Sequence, residues 1–142
     1  MIQNVYIASP FFNEREIKNI EYAEKVLESK GIGYFSPMRH QASGTPGTPE
    51  WAEKLFKLDV DAINKADAVV LMYYGNYSDS GTAWECGYAY SVGKPVVVVH
   101  VDRESDSNLM IHCGCATNVY LDEFEGFDFG KMPVYRYEGK MY

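Results

Sequence analysis

At 142 residues the chain is long enough for one domain with its own core and too short for two. Hydrophobic residues at 46% and charged residues at 23% exclude global disorder. Lys and Arg number 13 against 20 Asp and Glu, a net charge of −7, so no basic stripe is visible for nucleic acid and an anionic membrane surface is equally disfavoured.

Val5 to Ser9 is a short apolar run that predicts a buried first strand, ended by Pro10. Asn13 reads as a helix N-cap, with Glu14 and Glu16 in the first turn where the helix dipole favours acids. Ile17, Ile20, Ala23, Val26 and Leu27 then recur at helical spacing until Gly31. Tyr34 to Ser36 predicts the second strand, and Pro37 to Pro49 a Gly/Pro-rich loop of the length that tends to carry function. Trp51 to Lys65 predicts a second helix, and Ala68 to Tyr73, apolar throughout, a central third strand. A polar turn from Gly75 to Gly81 leads to a helix over Thr82 to Ser91. Val96 to Val101 predicts the fourth strand, Asn118 to Leu121 a fifth, and Tyr135 to Tyr142 is an aromatic, polar tail.

Strands alternate with helices, which predicts an α/β fold: a single domain with a mainly parallel five-stranded sheet, flavodoxin/Rossmann-like and doubly wound. In such sheets the ligand crevice lies beyond the C-terminal strand ends. Four segments are expected around it: Ala8 to Pro10, Met38 to Gln41, Tyr74 to Asp79, and the Asp102 region.

Cys86, Cys113 and Cys115 are an odd count without framework spacing, which predicts structural thiols in a reducing, cytoplasmic setting. Cys86 is expected to be packed. Cys113-Gly-Cys115 lacks the second pair a zinc site needs, and His40, His100 and His112 are scattered, so no metal is expected. Met1 to Asn4 has no signal-peptide character, and the longest apolar run, Pro95 to Val99, is too short to cross a bilayer. No G-x-G-x-x-G follows the first strand and no P-loop exists, which disfavours NAD and nucleoside triphosphates. The 12 tyrosines suit flat-ring stacking or subunit interfaces and do not choose between them.

Asp79-Ser80-Gly81-Thr82-Ala83-Trp84-Glu85 is the most informative segment. Structurally, Thr82 caps the following helix and Glu85 closes a capping box. Functionally, Glu85 is a carboxylate at the floor of the crevice, kept ionised by the helix N-terminus and able to act as nucleophile or base. Lys57, Asp61 and Lys65 are spaced to pair with one another on the second helix. Asp59 points elsewhere and is not explained that way.

Several ordered segments resemble the nucleoside 2-deoxyribosyltransferases: V-Y-I-A-S-P-F-F (Val5 to Phe12), S-P-M-R-H-Q (Ser36 to Gln41), L-D-V-D-A-I-N-K-A-D (Leu58 to Asp67), D-S-G-T-A-W-E-C-G-Y-A (Asp79 to Ala89), G-K-P-V (Gly93 to Val96), N-L-M (Asn108 to Met110) and the terminal Y-E-G-K-M-Y. The resemblance implies base exchange on 2′-deoxynucleosides through a covalent deoxyribosyl–glutamate, with Glu85 as nucleophile, Asp59 as the acid or base that serves the nucleobase, and Tyr6 positioning Glu85. It also implies Gln41 as a base-contacting amide, Asp79 on a sugar hydroxyl, Asn118 supplied by a neighbouring subunit, and the Tyr142 carboxylate folded back towards Asp59. The partners implied are 2′-deoxynucleosides and free nucleobases. A homo-oligomer, dimer or hexamer, with sites completed across the interface is implied too, and neither metal nor organic cofactor. The alternatives are an N-glycosidase of the same superfamily, with water as acceptor, and a non-catalytic nucleoside or nucleotide sensor. The Ser43 to Pro49 loop and Cys113-Gly-Cys115 depart from the pattern.

Overall fold

A computed structural model describes residues 1–76 and 79–142; Tyr77 and Ser78, inside the expected polar turn, lie outside the described residues. Five strands, β1 (Asn4–Ala8), β2 (Gly33–Phe35), β3 (Ala68–Tyr73), β4 (Val96–His100) and β5 (Thr117–Tyr120), form one parallel sheet in the order β2-β1-β3-β4-β5. This is the flavodoxin-like order, and its topological switch point lies between β1 and β3.

Four α-helices connect the strands: α1 (Glu14–Ser29), α2 (Pro49–Lys65), α3 (Ser80–Ser91) and α4 (Leu109–Gly114). Asn13 caps α1, its side chain accepting from Glu16 N–H as expected. At the other end Gly31 takes φ +69°. Its N–H reaches Glu28 O while that of Ile32 reaches Leu27 O, so the chain turns directly into β2. Helix α2 starts at Pro49 rather than Trp51, because Thr48 caps it and the fixed φ of proline suits the first helical position. Part of the expected 37–49 loop is a 3-10 turn, Pro37–Arg39. Arg39 forks onto Glu24 of α1 at 2.8 and 3.1 Å, and so anchors the turn.

Strand periodicity sorts the core into two layers. Val5, Ile7, Val70, Met72, Val97 and Val99 face α1 and the aromatic segment Phe124, Phe127 and Phe129. Tyr6, Ala8, Val69, Leu71, Val96 and Val98 face the opposite way, with Ile63 of α2 and Cys86 and Ala89 of α3. One consequence matters for function: Tyr6 is turned to the face that α2 and α3 cover.

Three features differ from the sequence expectation. Helix α4 and a second 3-10 segment, Leu121–Gly126, were not foreseen, since each is too short to show a period. The tail is a strap: Ser107 N–H donates to Lys140 O, Tyr142 N–H donates to Ser107 O, and Tyr137 stacks on buried His100 with ring centres 4.5 Å apart. No ion pair joins Lys57, Asp61 and Lys65 among the described residues; all three are exposed, where such pairs gain little over solvation.

Candidate active site

A cavity of about 540 Å³ opens at the switch point, within the usual size range for a small-molecule site. Ser9 and Pro10 border it after β1, Met38, His40 and Gln41 after β2, and Asp79 before α3. The Asp102 region does not: Asp102 pairs with Arg15 at 2.5 Å, on the α1 side. The four-segment crevice expected from the sequence is therefore a three-segment one, because the site follows the switch point rather than the whole sheet edge.

Helix α3 begins one turn earlier than expected. Asp79, not Thr82, is its N-cap: Asp79 Oδ2 accepts from Thr82 N–H at 2.9 Å and from Thr82 Oγ1 at 2.8 Å. Glu85 is thus beyond the first turn and takes no part in a capping box. Instead its Oε2 accepts the hydroxyl proton of Tyr6, which reaches across from β1. The expected helix-dipole ionisation of Glu85 also fails, because the dipole fades beyond the first turn and burial dominates. Burial pushes the Glu85 carboxyl up to about 8, the charges of Asp59 and Asp79 add to this, and the Tyr6 hydrogen bond opposes it. Tyr6 is itself raised far above the ordinary phenol range, first by burial and then by Glu85, so it stays a donor.

Asp59 enters from α2. It lies one turn before Ile63, which is fully buried, and so shares the inward face of that helix. Its Oδ1 is buried without a hydrogen-bond partner among the described residues, and burial raises its carboxyl to about 6. A buried carboxylate oxygen left unpaired beside a cavity is costly unless a ligand meets it.

Gln41 is exposed at the cavity edge. Phe11, Phe12, Trp51, Phe56 and Trp84 line the walls, and sequence reading assigned none of them to the site. Position could have found two: Phe11 and Phe12 follow the first strand directly. Asp59, Asp79 and Glu85 are the charged residues of the lining, which holds neither Lys nor Arg.

The fold therefore brings together Tyr6, Gln41, Asp59, Asp79 and Glu85, and leaves Asn118 and Tyr142 apart. Asn118 is almost buried on β5. It accepts from His100 Nε2 at 2.8 Å and donates to Tyr135 O at 3.1 Å and Cys115 Sγ at 3.4 Å. It lines a separate cavity of about 480 Å³ with Tyr120, Tyr135 and Tyr137. Tyr142 lies against Ser107 and Leu109 and does not border the Glu85 cavity of its own chain. Cys86 is buried in the core as expected, its thiol pushed up by burial. Among the described residues, no group of three or more His, Cys, Asp or Glu is placed to hold a metal ion, and no helix is long and apolar enough to cross a membrane.

The family model for nucleoside 2-deoxyribosyltransferase matches residues 5–129. A nucleoside deoxyribosyltransferase of Lactobacillus leichmannii is 25% identical over 154 residues, covering 99% of this chain and 98% of the relative. A solved 2-deoxyribosyltransferase of Bacillus psychrosaccharolyticus superposes with a TM-score of 0.82 at 36% identity, over 94% of this chain and 98% of that one. A Clostridium botulinum CMP N-glycosidase shares the fold at 22% identity and TM-score 0.63, over 87% of this chain and 96% of that one.

Proposed function

The chain belongs to the nucleoside 2-deoxyribosyltransferase family, and from that premise we propose that it exchanges the base of a 2′-deoxynucleoside by double displacement through Glu85. The observation that carries this reading is the pairing of Glu85, held by Tyr6, with the unpartnered Asp59 in one aromatic-walled cavity.

In the first step a Glu85 oxygen attacks C1′, and the C1′–N bond breaks with its electron pair leaving on the base. Asp59 delivers its proton to that base, which departs neutral. A glutamyl ester and an Asp59 carboxylate remain. In the second step Asp59 takes the ring N–H proton of the incoming base, whose nitrogen attacks C1′ and releases Glu85. Two inversions retain the β-configuration. Atoms and protons balance without a further group.

One proton serves the two carboxyls. The pair titrates with apparent values of about 6 and about 8, so it holds a single proton at neutral pH. At neutral pH the higher value keeps that proton mainly on Glu85; the reactive arrangement is the less populated one, with the proton on Asp59 and Glu85 ionised.

Three acids, with neither Lys nor Arg among the described lining residues, favour an uncharged nucleoside over a 5′-monophosphate. Asp79, half engaged as the cap of α3, keeps Oδ1 for a sugar hydroxyl. Gln41 offers both a donor and an acceptor to the base edge. Asn118 enters this reading as a group given to the site of a second copy, in a dimer or hexamer; Tyr142, expected to fold back towards Asp59, lies away from that cavity in its own chain.

Thymidine plus adenine, with products separated by chromatography, tests the reading. Deoxyadenosine and thymine in equal amounts are expected from a transferase that accepts both base classes. Thymine with free deoxyribose and no deoxyadenosine would make the chain a hydrolase. If neither appears, deoxyinosine plus adenine separates a purine-only transferase from a protein that merely binds.

A further inference from the structure

His40 borders the cavity beside Gln41 and has no part in the transfer steps. His40 follows the anchored 3-10 turn and precedes Gln41. Its ring lies parallel to that of Phe35, with centres 4.0 Å apart and planes 8° apart. Phe35 in turn lies parallel to Tyr6, at 5.7 Å and 9°. The column runs outward from the core: Tyr6 is fully buried, Phe35 half-buried, His40 exposed. Only His40 of the three borders the cavity. Among the described residues, no hydrogen bond or ion pair engages its ring, and Phe35 stacks on it.

The backbone beneath is fixed independently. His40 N–H donates to Pro37 O at 3.0 Å, and Arg39 is forked onto Glu24, a carboxylate with 6% of its side-chain surface exposed. An exposed aromatic ring stacked on one face and bordering a site is a stacking platform that needs little ordering when a flat ligand arrives.

We propose that His40 stacks on the nucleobase and sets base preference; this rests on the deoxyribosyl-transfer reading. The face-bearing ring and the edge-reading Gln41 amide then come from consecutive residues on one anchored turn. Stacking grows with ring overlap, so the two-ring purines gain more from His40 than the pyrimidines do.

The test is exchange from deoxyinosine to adenine by wild type, His40→Ala, His40→Leu and His40→Phe, with kcat and adenine KM measured separately. Base–aromatic stacking leads to an expected rise in adenine KM of about 5- to 100-fold for His40→Ala. The loss falls on KM rather than on kcat, as for an interaction made equally in ground and transition states. His40→Leu, which keeps bulk without a ring, behaves like His40→Ala and serves in its place if that variant folds poorly. His40→Phe restores KM to within about threefold, since a ring face is what the base uses. An unchanged KM in His40→Ala and His40→Leu overturns the proposal, and so does a His40→Phe variant as poor as His40→Ala. A fall in kcat at constant KM also overturns it, by showing that the column acts on Tyr6 and Glu85 instead. Wild type that leaves deoxyinosine intact, or hydrolyses it without exchange, removes the transfer reading itself, whereas wild type that exchanges, with indifferent His40 variants, removes this inference alone.

Discussion

Replacing Glu85 with Gln is expected to stabilise the fold while abolishing transfer. The sign follows from the proton count. Glu85 titrates near 4.5 in an unfolded chain and at about 8 in the cavity. Between those values the folded state holds a proton that the unfolded state has lost, so stability declines as pH rises through this window. Below pH 4.5 the side chain is neutral in both states and costs nothing. The full displacement from 4.5 to about 8 has a ceiling of about 5 kcal/mol. The cavity is open to water, and part of the displacement comes from Asp59 and Asp79, so about 1–3 kcal/mol is the expected gain for Glu85→Gln at pH 9. The glutamine carbonyl keeps the hydrogen bond from Tyr6. For a chain of this size each kcal/mol moves Tm by about 4 °C. Urea midpoints or thermal melts of both proteins at pH 5 and pH 9, at one chain concentration, provide the assay. A gain at pH 9 that shrinks below about 1 kcal/mol at pH 5 is expected. A variant less stable than wild type at pH 9, or a gain independent of pH, would refute the argument that Glu85 is held in the cavity against its own charge.

The same carboxyl pair predicts a bell-shaped pH–rate profile, rising near pH 6 and falling near pH 8, because only the singly protonated pair reacts. Asp59→Asn is expected to lower the rate by about 10²–10⁴-fold and to erase the alkaline limb. The activity that remains rises with pH through a Glu85 value now below 8, since the Asp59 charge no longer raises it. Tyr6→Phe moves the alkaline limb the other way, to higher pH, because the lost hydrogen bond was holding the Glu85 value down. Asp79→Ala costs about 1 kcal/mol in urea unfolding through the lost cap of α3, whereas Asp79→Asn keeps the cap. A nucleoside-binding defect common to both variants therefore isolates the sugar contact. Deoxyadenosine 5′-monophosphate is expected to be a donor at least roughly tenfold worse than deoxyadenosine, with the gap narrowing in salt.

The residues of this site were legible through the resemblance of ordered segments, and strand and helix periods supply the physical reason that several of them converge. Val5 to Ala8 alternates between faces, so Tyr6 had to lie opposite Val5 and Ile7, and the strand order then decided which helices cover it. Asp59 was given its role by the resemblance, and its spacing from Ile63 is the physical reason it turns inward. What the sequence concealed was the start of α3. Asp79 and Thr82 are both good caps, and the choice between them turns on whether Ser80 and Gly81 take helical dihedrals, which composition does not reveal. That single turn changes the chemistry. With Thr82 as cap, Glu85 would be tied to the backbone and ionised by the helix end. With Asp79 as cap, Glu85 is released into the cavity, proton-bearing at neutral pH and held by Tyr6. The aromatic walls were hidden for a different reason: Phe56 and Trp84 meet only when α2 and α3 pack side by side, and no local pattern in either helix records that meeting. A site built from side chains on separate crossovers is specified by topology, and the order of strands must be known before its walls can be read.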